Sequence, residues 1–384
     1  MRRERDREIM QRLVDAGPRF QGMLSDRSMV QSASVYSDAD HFANELRILY
    51  REGPTFVGLS ASCTQPGDYL VASVGGVPIA VVRQNDGSLR GLVNACRHRG
   101  SPLFEGPTGS MNERISCGYH AWTYDRSGEL TARPMAEAAF NDIDLDCGLH
   151  SVVVAEKYGL IFVRAVGVDP IDVDQVLGGA QDDLGAFGLD KYVHIDTRVN
   201  TWPFNWKLVL DTFTESYHVR TLHRSSIAPY FLSDVSLVDE FERNLLMISL
   251  RNTVDREFSK PYEDRSVLPY GTIQYFLVPS GLVVHQIDHV EVWRIEPVDA
   301  RTTTTITSVF SPVPPEEGRG RAHYLKNLDL LLEVVGSEDF TLMHKIQQNL
   351  DSGALPNLVY GRNEHALTYL HQSIERLLST ENQQ

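Results

Sequence analysis

Two short runs, each holding one cysteine and one histidine, constrain this chain more than any other feature of its sequence. They are Cys96-x-His98 and Cys117-x₂-His120, and eighteen residues separate them. Each run follows a stretch with strand character, so we expect the four side chains to meet at one tip of a small β domain. Because thiolates and imidazoles are ligands of zinc and of iron, the pattern predicts a metal site.

Two kinds of metal site accept this set of ligands. Zinc accepts two cysteines and two histidines in a closed tetrahedral structural site. A [2Fe–2S] cluster accepts the same set when two histidines replace two cysteines on one iron. Zinc sites usually group Cys with Cys and His with His, whereas each run here holds one of each, which favours the cluster. Structural zinc and a chance pairing stay open.

A second group of candidate ligands is Glu215-x₂-His218-x₄-His223. We predict a helix over 205–223, on which Asp211, Glu215 and His218 follow one face. His218 and His223 are five positions apart, about 140° around a helix, so an unbroken helix would not aim both at one ion. The sequence therefore predicts that the helix ends or bulges near Arg220 to Leu222.

Charge and composition exclude several classes of protein. The formal net charge is −15 and no basic cluster follows the short N-terminal run, which argues against a nucleic-acid partner. No apolar run is long enough for a membrane helix, and the first residues lack the apolar centre of a signal peptide. Four cysteines are too few for a disulfide scaffold in a chain of 384 residues. We expect a cytoplasmic protein that does not bind membranes.

The pattern along the chain predicts an α+β protein with an all-β domain inserted in it. We expect a β domain at 54–166, an α+β domain at 167–384, and a helical N-terminal segment at 1–53 that packs on the α+β domain. Gly75-Gly76 and Asn85-Asp86-Gly87 separate β-rich runs and predict hairpins. No Gly-rich dinucleotide fingerprint opens a helix, so a nicotinamide cofactor would bind to another protein.

The two groups of ligands each resemble a segment of one enzyme family. NACRHRGSPL and CGYHAWTYD resemble the cluster-binding signature of Rieske proteins, and NWK…D-x₃-E-x-Y-H-x₄-H resembles the iron segment of the Rieske oxygenase α subunits. The resemblance implies that Cys96 and Cys117 hold the inner iron of a [2Fe–2S] cluster. It implies that His98 and His120 hold the outer iron.

The resemblance also implies a second metal and a fold for the catalytic domain. His218, His223 and Asp339 would hold a mononuclear non-heme Fe(II) that uses O₂ as co-substrate. Asp339 occupies the ligand position in SEDFTLMHKIQQNL, and we expect Glu338 and His344 to be ordinary helix-surface residues. The implied catalytic fold is the helix-grip, an antiparallel sheet wrapped round a long helix.

The implied function is that of the terminal oxygenase component of a multicomponent system. An NAD(P)H-dependent reductase would supply electrons, with or without a ferredoxin between them, and the chains would form a homotrimer. Glu215 would bridge His120 of one subunit and His218 of the next. Asp211 and Asn205 are close enough in sequence to support the iron ligands from behind, and a solvated helix residue is the equal alternative for Asp211. Aromatic residues expected to line the pocket are Phe213, Tyr230, Phe231, Tyr275, Phe276 and Trp293.

The reaction type is predicted through Glu215. The ring-dihydroxylating branch usually has Asp there, and Glu resembles the branch with oxygenases of quaternary amines. We therefore expect hydroxylation or oxidative dealkylation of a small aromatic or N-methylated or carboxylated substrate. The alternative reaction for an enzyme of this family is ring cis-dihydroxylation. A non-catalytic electron-transfer or zinc-binding protein is the alternative from another class.

Overall fold

The computed structural model describes residues 1–17, 24–142 and 144–380, and it has the predicted α+β architecture. The strands are β1 Met29–Ser32, β2 Thr55–Leu59, β3 Asp68–Val74, β4 Val77–Arg83, β5 Leu89–Val93, β6 Thr108–Ser110, β7 Arg114–Ser116, β8 Thr123–Asp125, β9 Leu130–Ala132, β10 Ser151–Lys157, β11 Leu160–Arg164, β12 Val193–Trp202, β13 Phe231–Phe241, β14 Asn244–Arg251, β15 Gly271–Leu277, β16 Gly281–His285, β17 Val290–Asp299, β18 Thr302–Ser311 and β19 Asn357–Tyr360.

The helices are mostly short. Two lie in the N-terminal segment, one lies late in the β domain, and the others lie after β11. The α-helices are α1 Arg3–Ala16, α2 Ala39–Glu45, α3 Ala136–Ala139, α4 Val173–Leu177, α5 Gln181–Phe187, α6 Trp206–Phe213, α7 Val219–Leu222, α8 Arg321–Val334, α9 Thr341–Asp351 and α10 His365–Thr380. Wider π-helical turns span Leu46–Glu52 and Val335–Phe340. Short 3₁₀ turns span Ala33–Tyr36, Ser60–Ser62, Leu189–Lys191, Val254–Glu257 and Tyr262–Asp264. Within the described residues, no helix has both the length and the apolar character needed to cross a membrane.

The β domain is a seven-stranded antiparallel sheet in the order β2-β11-β10-β5-β4-β3-β6, with a separate three-stranded sheet β7-β8-β9. Both predicted hairpins are confirmed, as β3–β4 and β4–β5. Gly75 and Gly76 both have positive φ, at 58° and 84°, which a two-residue turn between twisted strands requires. The three-stranded sheet and the loop after β5 form one end of this domain.

The catalytic half is built on a second antiparallel sheet of seven strands, in the order β12-β18-β17-β16-β15-β14-β13. Four consecutive strands of this sheet, β15 to β18, span residues 271–311. Helix α6 packs on this sheet, and Val209 and Leu210 share a buried cluster with Phe276 and Trp293. Seven antiparallel strands packed against α6 and α10 agree with the predicted helix-grip arrangement.

The two domains are in direct contact through polar and apolar groups. Arg294 of β17 donates to the carbonyl oxygens of Val57 at 2.8 Å and Val71 at 2.7 Å. Gly281 faces Phe56 so closely that a Cβ there would lie 2.4 Å from the ring. The β domain is therefore held against the back of the catalytic sheet.

The N-terminal segment differs from its predicted helical character over 4–50. Helices α1 and α2 form, but β1 lies between them and pairs with β19 near the C-terminus. A pairing partner more than 300 residues away leaves no signal in local periodicity, so the helical prediction is wrong over β1. Residues 18–23 of the predicted helical region lie outside the described residues. Asp6 of α1 accepts from the backbone N–H of Val267 at 2.7 Å, which ties this segment to the catalytic half. The exact domain boundaries stay a prediction.

Candidate metal centres and the adjoining cavity

The two cysteines of the first constellation are buried at the tip of the β domain. Cys96 follows β5, and Cys117 lies between β7 and β8, with exposures of 3% and 4%. Their side chains are in hydrogen-bond contact with each other. The Tyr124 hydroxyl lies 3.3 Å from Cys96 Sγ and accepts from the Arg97 backbone N–H at 3.1 Å. The tip is thus arranged around a pair of thiol groups.

The environment of Cys117 favours the thiolate that a metal binds. Burial alone would raise the pKa of the thiol. The backbone N–H groups of Tyr119 and His120 and the contact with Cys96 outweigh burial, and the pKa lies below its ordinary value. A loop that aims two backbone donors at sulfur is suited to hold a negative ligand.

The two histidines of the first constellation form a separate pair on the outer side of the tip. The Nδ1 atoms of His98 and His120 lie 3.1 Å apart. The His98 ring stacks on buried Trp122 with ring centroids 5.0 Å apart, while His120 is exposed. Two imidazole nitrogens that face each other can bind one ion.

The separation of the two pairs bears on the choice between zinc and a cluster. A tetrahedral zinc site brings all four ligand atoms within about 4 Å of one another. In the described part of the chain, no three ligand atoms from Cys96, Cys117, His98 and His120 lie within 4.8 Å of one another. One thiol pair and one imidazole pair fit a cluster with two irons better than a single ion.

The second constellation lies where the helix over the catalytic sheet breaks. Helix α6 ends at Phe213 and the short α7 begins at Val219, so the predicted break in the helix over 205–223 is present. The break comes earlier than the predicted position at 220–222. The Glu215 carboxylate accepts from the backbone N–H groups of Tyr217 and His218, which replaces helical hydrogen bonds at this point. The break allows both histidines to face one point.

Three side chains converge at that point. His223 Nε2 lies 3.2 Å and His218 Nε2 lies 3.5 Å from Asp339 Oδ1. In the described residues, these three are the one group of His, Cys, Asp or Glu whose ligand atoms all lie within 4.8 Å. Asp339 belongs to the π-helical turn Val335–Phe340, and Thr212 donates to its Oδ1 at 3.0 Å. Two imidazoles and one carboxylate on one side of an ion fit non-heme iron with open positions.

The outer nitrogen of each histidine is held by a carboxylate. His218 Nδ1 contacts Glu215, and His223 Nδ1 lies 2.6 Å from Glu338 Oε2, which also accepts from the Ser226 hydroxyl at 2.9 Å. Such contacts fix which imidazole nitrogen faces the metal. Glu338 therefore belongs to the site, and its prediction as an ordinary surface residue is wrong. Its position next to Asp339 on one turn is the signal that was available.

Asp211 is part of α6 and Asn205 precedes its first residue, and the side chains of both bond to groups outside the three converging side chains. Asp211 accepts from the Tyr36 hydroxyl at 2.5 Å and contacts His371 at 2.9 Å. Asn205 caps α6 by accepting from the Lys207 N–H at 3.0 Å, and its amide donates to backbone carbonyls. Both side chains thus organise the helix that precedes the iron ligands instead of contacting them.

A cavity of about 750 Å³ opens beside the three converging side chains. Of the aromatic residues expected there, Phe213, Tyr230, Phe231 and Trp293 line it. Tyr275 and Phe276 are instead part of the buried core, at 1% and 0% exposure. Thr272 and Gln274 line the cavity from the face of β15 opposite to Tyr275, because successive side chains on a strand point to opposite faces. Phe276 is on the same face as Gln274 but is covered by the buried cluster that includes Val209 and Leu210 of α6.

Two family models match the chain. The Rieske [2Fe-2S] domain matches residues 54–153, and the ring hydroxylating alpha subunit (catalytic domain) matches residues 187–380. The first range contains Cys96, His98, Cys117 and His120. The second contains His218, His223 and Asp339 and covers about half of the chain.

Two oxygenase subunits are similar in sequence to parts of this chain. The oxygenase subunit of glycine betaine monooxygenase from Chromohalobacter salexigens is 34% identical over 202 residues, which are 52% of this chain and 43% of that protein. The alpha subunit of chlorobenzene dioxygenase from Cupriavidus sp. is 31% identical over 228 residues, which are 57% of this chain and 50% of that protein. The aligned region thus spans about half the length of these relatives.

A solved structure extends the similarity in fold over most of the chain. The quaternary ammonium Rieske monooxygenase CntA, in complex with an inhibitor, superposes with a TM-score of 0.77 at 21% identity and covers 91% of this chain and 96% of that one. At this identity the likeness shows the fold. With the two family models placed around the two groups of ligands, the chain belongs to the family of Rieske oxygenase alpha subunits.

Proposed function

We propose that this chain is the terminal oxygenase component of a multicomponent Rieske oxygenase that hydroxylates or oxidatively dealkylates a small organic substrate. The observation that carries the proposal is the convergence of His218, His223 and Asp339 beside a cavity of about 750 Å³. A cavity of this volume accommodates a small organic molecule. A separate NAD(P)H-dependent reductase, directly or through a ferredoxin, is the proposed source of electrons, and the cytoplasm is the proposed location.

Each group of ligands has a role in the proposal. Cys96, Cys117, His98 and His120 would hold the [2Fe–2S] cluster, and His218, His223 and Asp339 would hold mononuclear iron. When bound, the cluster supplies single electrons and the iron supplies the site of O₂ reduction. The chain's own contribution is to orient the ligands and to enclose the substrate. Phe213 and Trp293 are part of an apolar wall that excludes water from the reacting carbon.

Glu215 is the proposed link between the two metal sites of neighbouring subunits. Its side chain is 13% exposed, and one carboxylate oxygen contacts His218 Nδ1. His120 is exposed at the tip of the β domain, where another subunit could reach it. A carboxylate between two imidazoles would orient both rings and balance charge as an electron arrives. This role requires the proposed head-to-tail homotrimer.

The reaction type is proposed as mono-oxygenation. Glu at position 215 supports it, as does the relative that is a glycine betaine monooxygenase subunit. The relative that is a chlorobenzene dioxygenase subunit supports ring cis-dihydroxylation as the second candidate. In mono-oxygenation one oxygen atom enters the substrate and the other leaves as water, whereas dihydroxylation places both on adjacent carbons.

A single turnover tests the function. Chemically reduced protein is mixed with ¹⁸O₂ and a panel of aromatic acids, methyl ethers and N-methylated amines, and the products are analysed by mass spectrometry. We expect one labelled oxygen per product, or formaldehyde from a dealkylated substrate. Labelled oxygens on adjacent carbons would instead identify a ring dihydroxylase.

Metal analysis separates the proposal from an electron-transfer or zinc-binding protein. We expect iron at both sites, and for the reduced protein a rhombic EPR signal with an average g below the free-electron value. Zinc at the Cys/His site gives no such signal. A protein that folds with the cluster but binds no iron at His218 and His223 would be an electron carrier and not an oxygenase.

A further inference from the structure

Charged side chains along the cavity wall are almost all paired with a group of opposite charge. Asp288 and Glu291 both contact His289, at 2.8 Å and 3.2 Å, and His323 contacts Asp288 at 2.9 Å. Near the candidate iron site, Glu215 contacts His218. This wall therefore contains its own counter-charges.

Arg251 is the exception among the charged residues that line the described cavity. It ends β14, is half-buried, and has neither an ion pair nor a side-chain hydrogen bond with any described residue. Its Nε is buried and has no hydrogen-bond partner among the residues that the structure describes. Its guanidinium lies 5.0 Å from the centre of the Phe231 ring, which stabilises a cation without neutralising it. The chain thus places an uncompensated positive charge at the cavity.

An unpaired charge at such a site is unfavourable unless a counter-ion neutralises it. Burial lowers the pKa of the Arg251 guanidinium, and no carboxylate offsets the effect. The chain has 51 acidic residues against 36 basic ones. None of the acidic residues in the described part of the chain pairs with Arg251. A bound ligand with a negative charge would supply the counter-ion that this half-buried cation lacks.

The surroundings of Arg251 suit a planar anion. Ser249 precedes it by two residues on the same face of β14 and lines the cavity with its cross-strand neighbour Thr272. Ser249 Oγ accepts from the Gln274 amide at 3.2 Å, so the hydroxyl proton can be donated to a ligand. The guanidinium offers two parallel N–H groups, the arrangement that binds a carboxylate by two hydrogen bonds.

We propose that Arg251 binds a carboxylate group of the substrate and that the chain oxidises small carboxylated molecules. The inference rests on the proposed oxygenase function and names its substrate class. The carboxylate lies against Arg251 and Ser249, while the apolar body of the substrate packs on residues such as Phe213 and Trp293. The carbon to be oxidised then faces His218, His223 and Asp339. Arg251 fixes which carbon reaches the iron.

Binding measurements on the iron-loaded protein test this inference. Benzoate, phenylacetate, hexanoate and glycine betaine are each compared with the corresponding primary amide by calorimetric titration. We expect at least one acid to bind roughly 10- to 100-fold more tightly than its amide, the range for a hydrogen-bonded charged group. R251Q should remove the preference, and R251K should keep part of it.

A matched control separates this role from a general effect of charge. Arg198 lies on β12, the edge strand on the far side of the sheet from β14, and is paired with Asp196. R198Q should leave the acid-to-amide ratio unchanged. The melting temperature of R251Q should be close to that of the wild type, because no counter-ion is lost and the cation–π contact with Phe231 contributes little at a half-buried position. A structural role would lower it.

Several results would overturn the inference. The first is that no acid binds more tightly than its amide, which includes the case that none binds at all. The second is that R251Q keeps the preference for the acid. The third is that R198Q loses this preference as much as R251Q does. Failure of the proposed function is distinguishable from these results. If the charge preference is present but no substrate gains labelled oxygen in a single turnover, the oxygenase proposal fails and the carboxylate site stands. If neutral amides are oxygenated as fast as acids by both wild type and R251Q, the carboxylate site fails and the oxygenase stands.

Discussion

His223 Nδ1 lies 2.6 Å from Glu338 Oε2, although 115 positions separate the two residues in the chain. The contact joins the segment after α7 to the π-helical turn that carries Asp339. It fixes the His223 ring so that Nε2 faces Asp339 at 3.2 Å. A ligand that is held from behind in this way does not need to be ordered when the metal binds.

Replacing Glu338 should therefore weaken the mononuclear iron site. We expect Glu338→Ala to lower Fe(II) affinity roughly 10- to 100-fold, as for other carboxylates that orient a metal-bound histidine. The measurement is Fe(II) titration against a competing chelator. Glu333→Ala, on the exposed side of α8, is the control and should bind iron normally. Normal affinity in Glu338→Ala would mean that the contact does not position His223.

Removal of Asp339 should empty one metal site and leave the other. Asp339 is 3% exposed, and its Oδ1 lies 3.5 Å from His218 Nε2 and 3.2 Å from His223 Nε2. We expect Asp339→Ala to contain one iron fewer per chain while the EPR signal of the reduced cluster is unchanged, because the two ligand sets share no residue. Asp329→Asn on the α8 surface is the matched control. An unchanged iron content would show that another residue is the third ligand.

Glu215→Gln tests the proposed link between subunits. Gln retains an oxygen that can accept from the backbone at the helix break but has no negative charge to balance an imidazolium. Both metals should remain bound, and re-oxidation of the cluster in a single turnover should slow roughly 10- to 100-fold. Glu316→Gln, at an exposed loop, is the control. Near-normal rates in Glu215→Gln would exclude the bridging role.

The sequence allowed different parts of the site to be predicted for physical reasons. Ligands that lie close together in the chain, such as Cys96 and His98, follow from spacing and residue type. The relation of Glu338 to His223 depends on where two distant segments pack, and no local pattern encodes it. The helix break was placed too late because rotation angles show that a break is needed, whereas the Glu215 carboxylate decides where it occurs. The β1–β19 pair was missed because its strands lie at opposite ends of the chain.

A buried ion pair beside α6 should dominate the stability of the catalytic half. Lys207 Nζ lies 2.6 Å from Glu45 Oε1, and the side chains are 1% and 0% exposed. Trp206 donates to the second oxygen of Glu45 at 2.9 Å. Glu45→Ala leaves the ammonium of Lys207 without a counter-charge and should reduce the free energy of unfolding by about 3–5 kcal/mol.

Urea unfolding of single and double variants measures this coupling. The double variant Glu45→Ala, Lys207→Met removes both charges and should be more stable than Glu45→Ala alone. Glu52→Ala, which removes an exposed ion pair with Arg47, should cost less than about 1 kcal/mol. Strict additivity of the two single changes would mean that the charges do not interact across the buried contact.

His285 should make the protein less stable as the pH falls. It ends β16 and stacks on Phe187 with ring centroids 4.9 Å apart, and its buried Nδ1 has no hydrogen-bond partner within the described ranges. Burial, followed by the positive charge of the N-terminal amine, lowers its pKa from 6.5 to about 4. Between these two values the unfolded chain binds a proton that the folded chain does not, so lowering the pH favours unfolding.

The size of this effect can be measured by comparison with a variant that does not titrate. The pKa difference predicts that His285 lowers the free energy of unfolding by about 2 kcal/mol between pH 7 and pH 5. In His285→Phe, which keeps a ring against Phe187, that part of the pH dependence should vanish, whereas His365→Gln, a half-buried surface histidine, should keep it. Parallel stability curves for the wild type and His285→Phe across this pH range would contradict the prediction. They would mean that His285 takes up its proton equally in the folded and the unfolded chain, so that unfolding is not coupled to proton uptake at this residue.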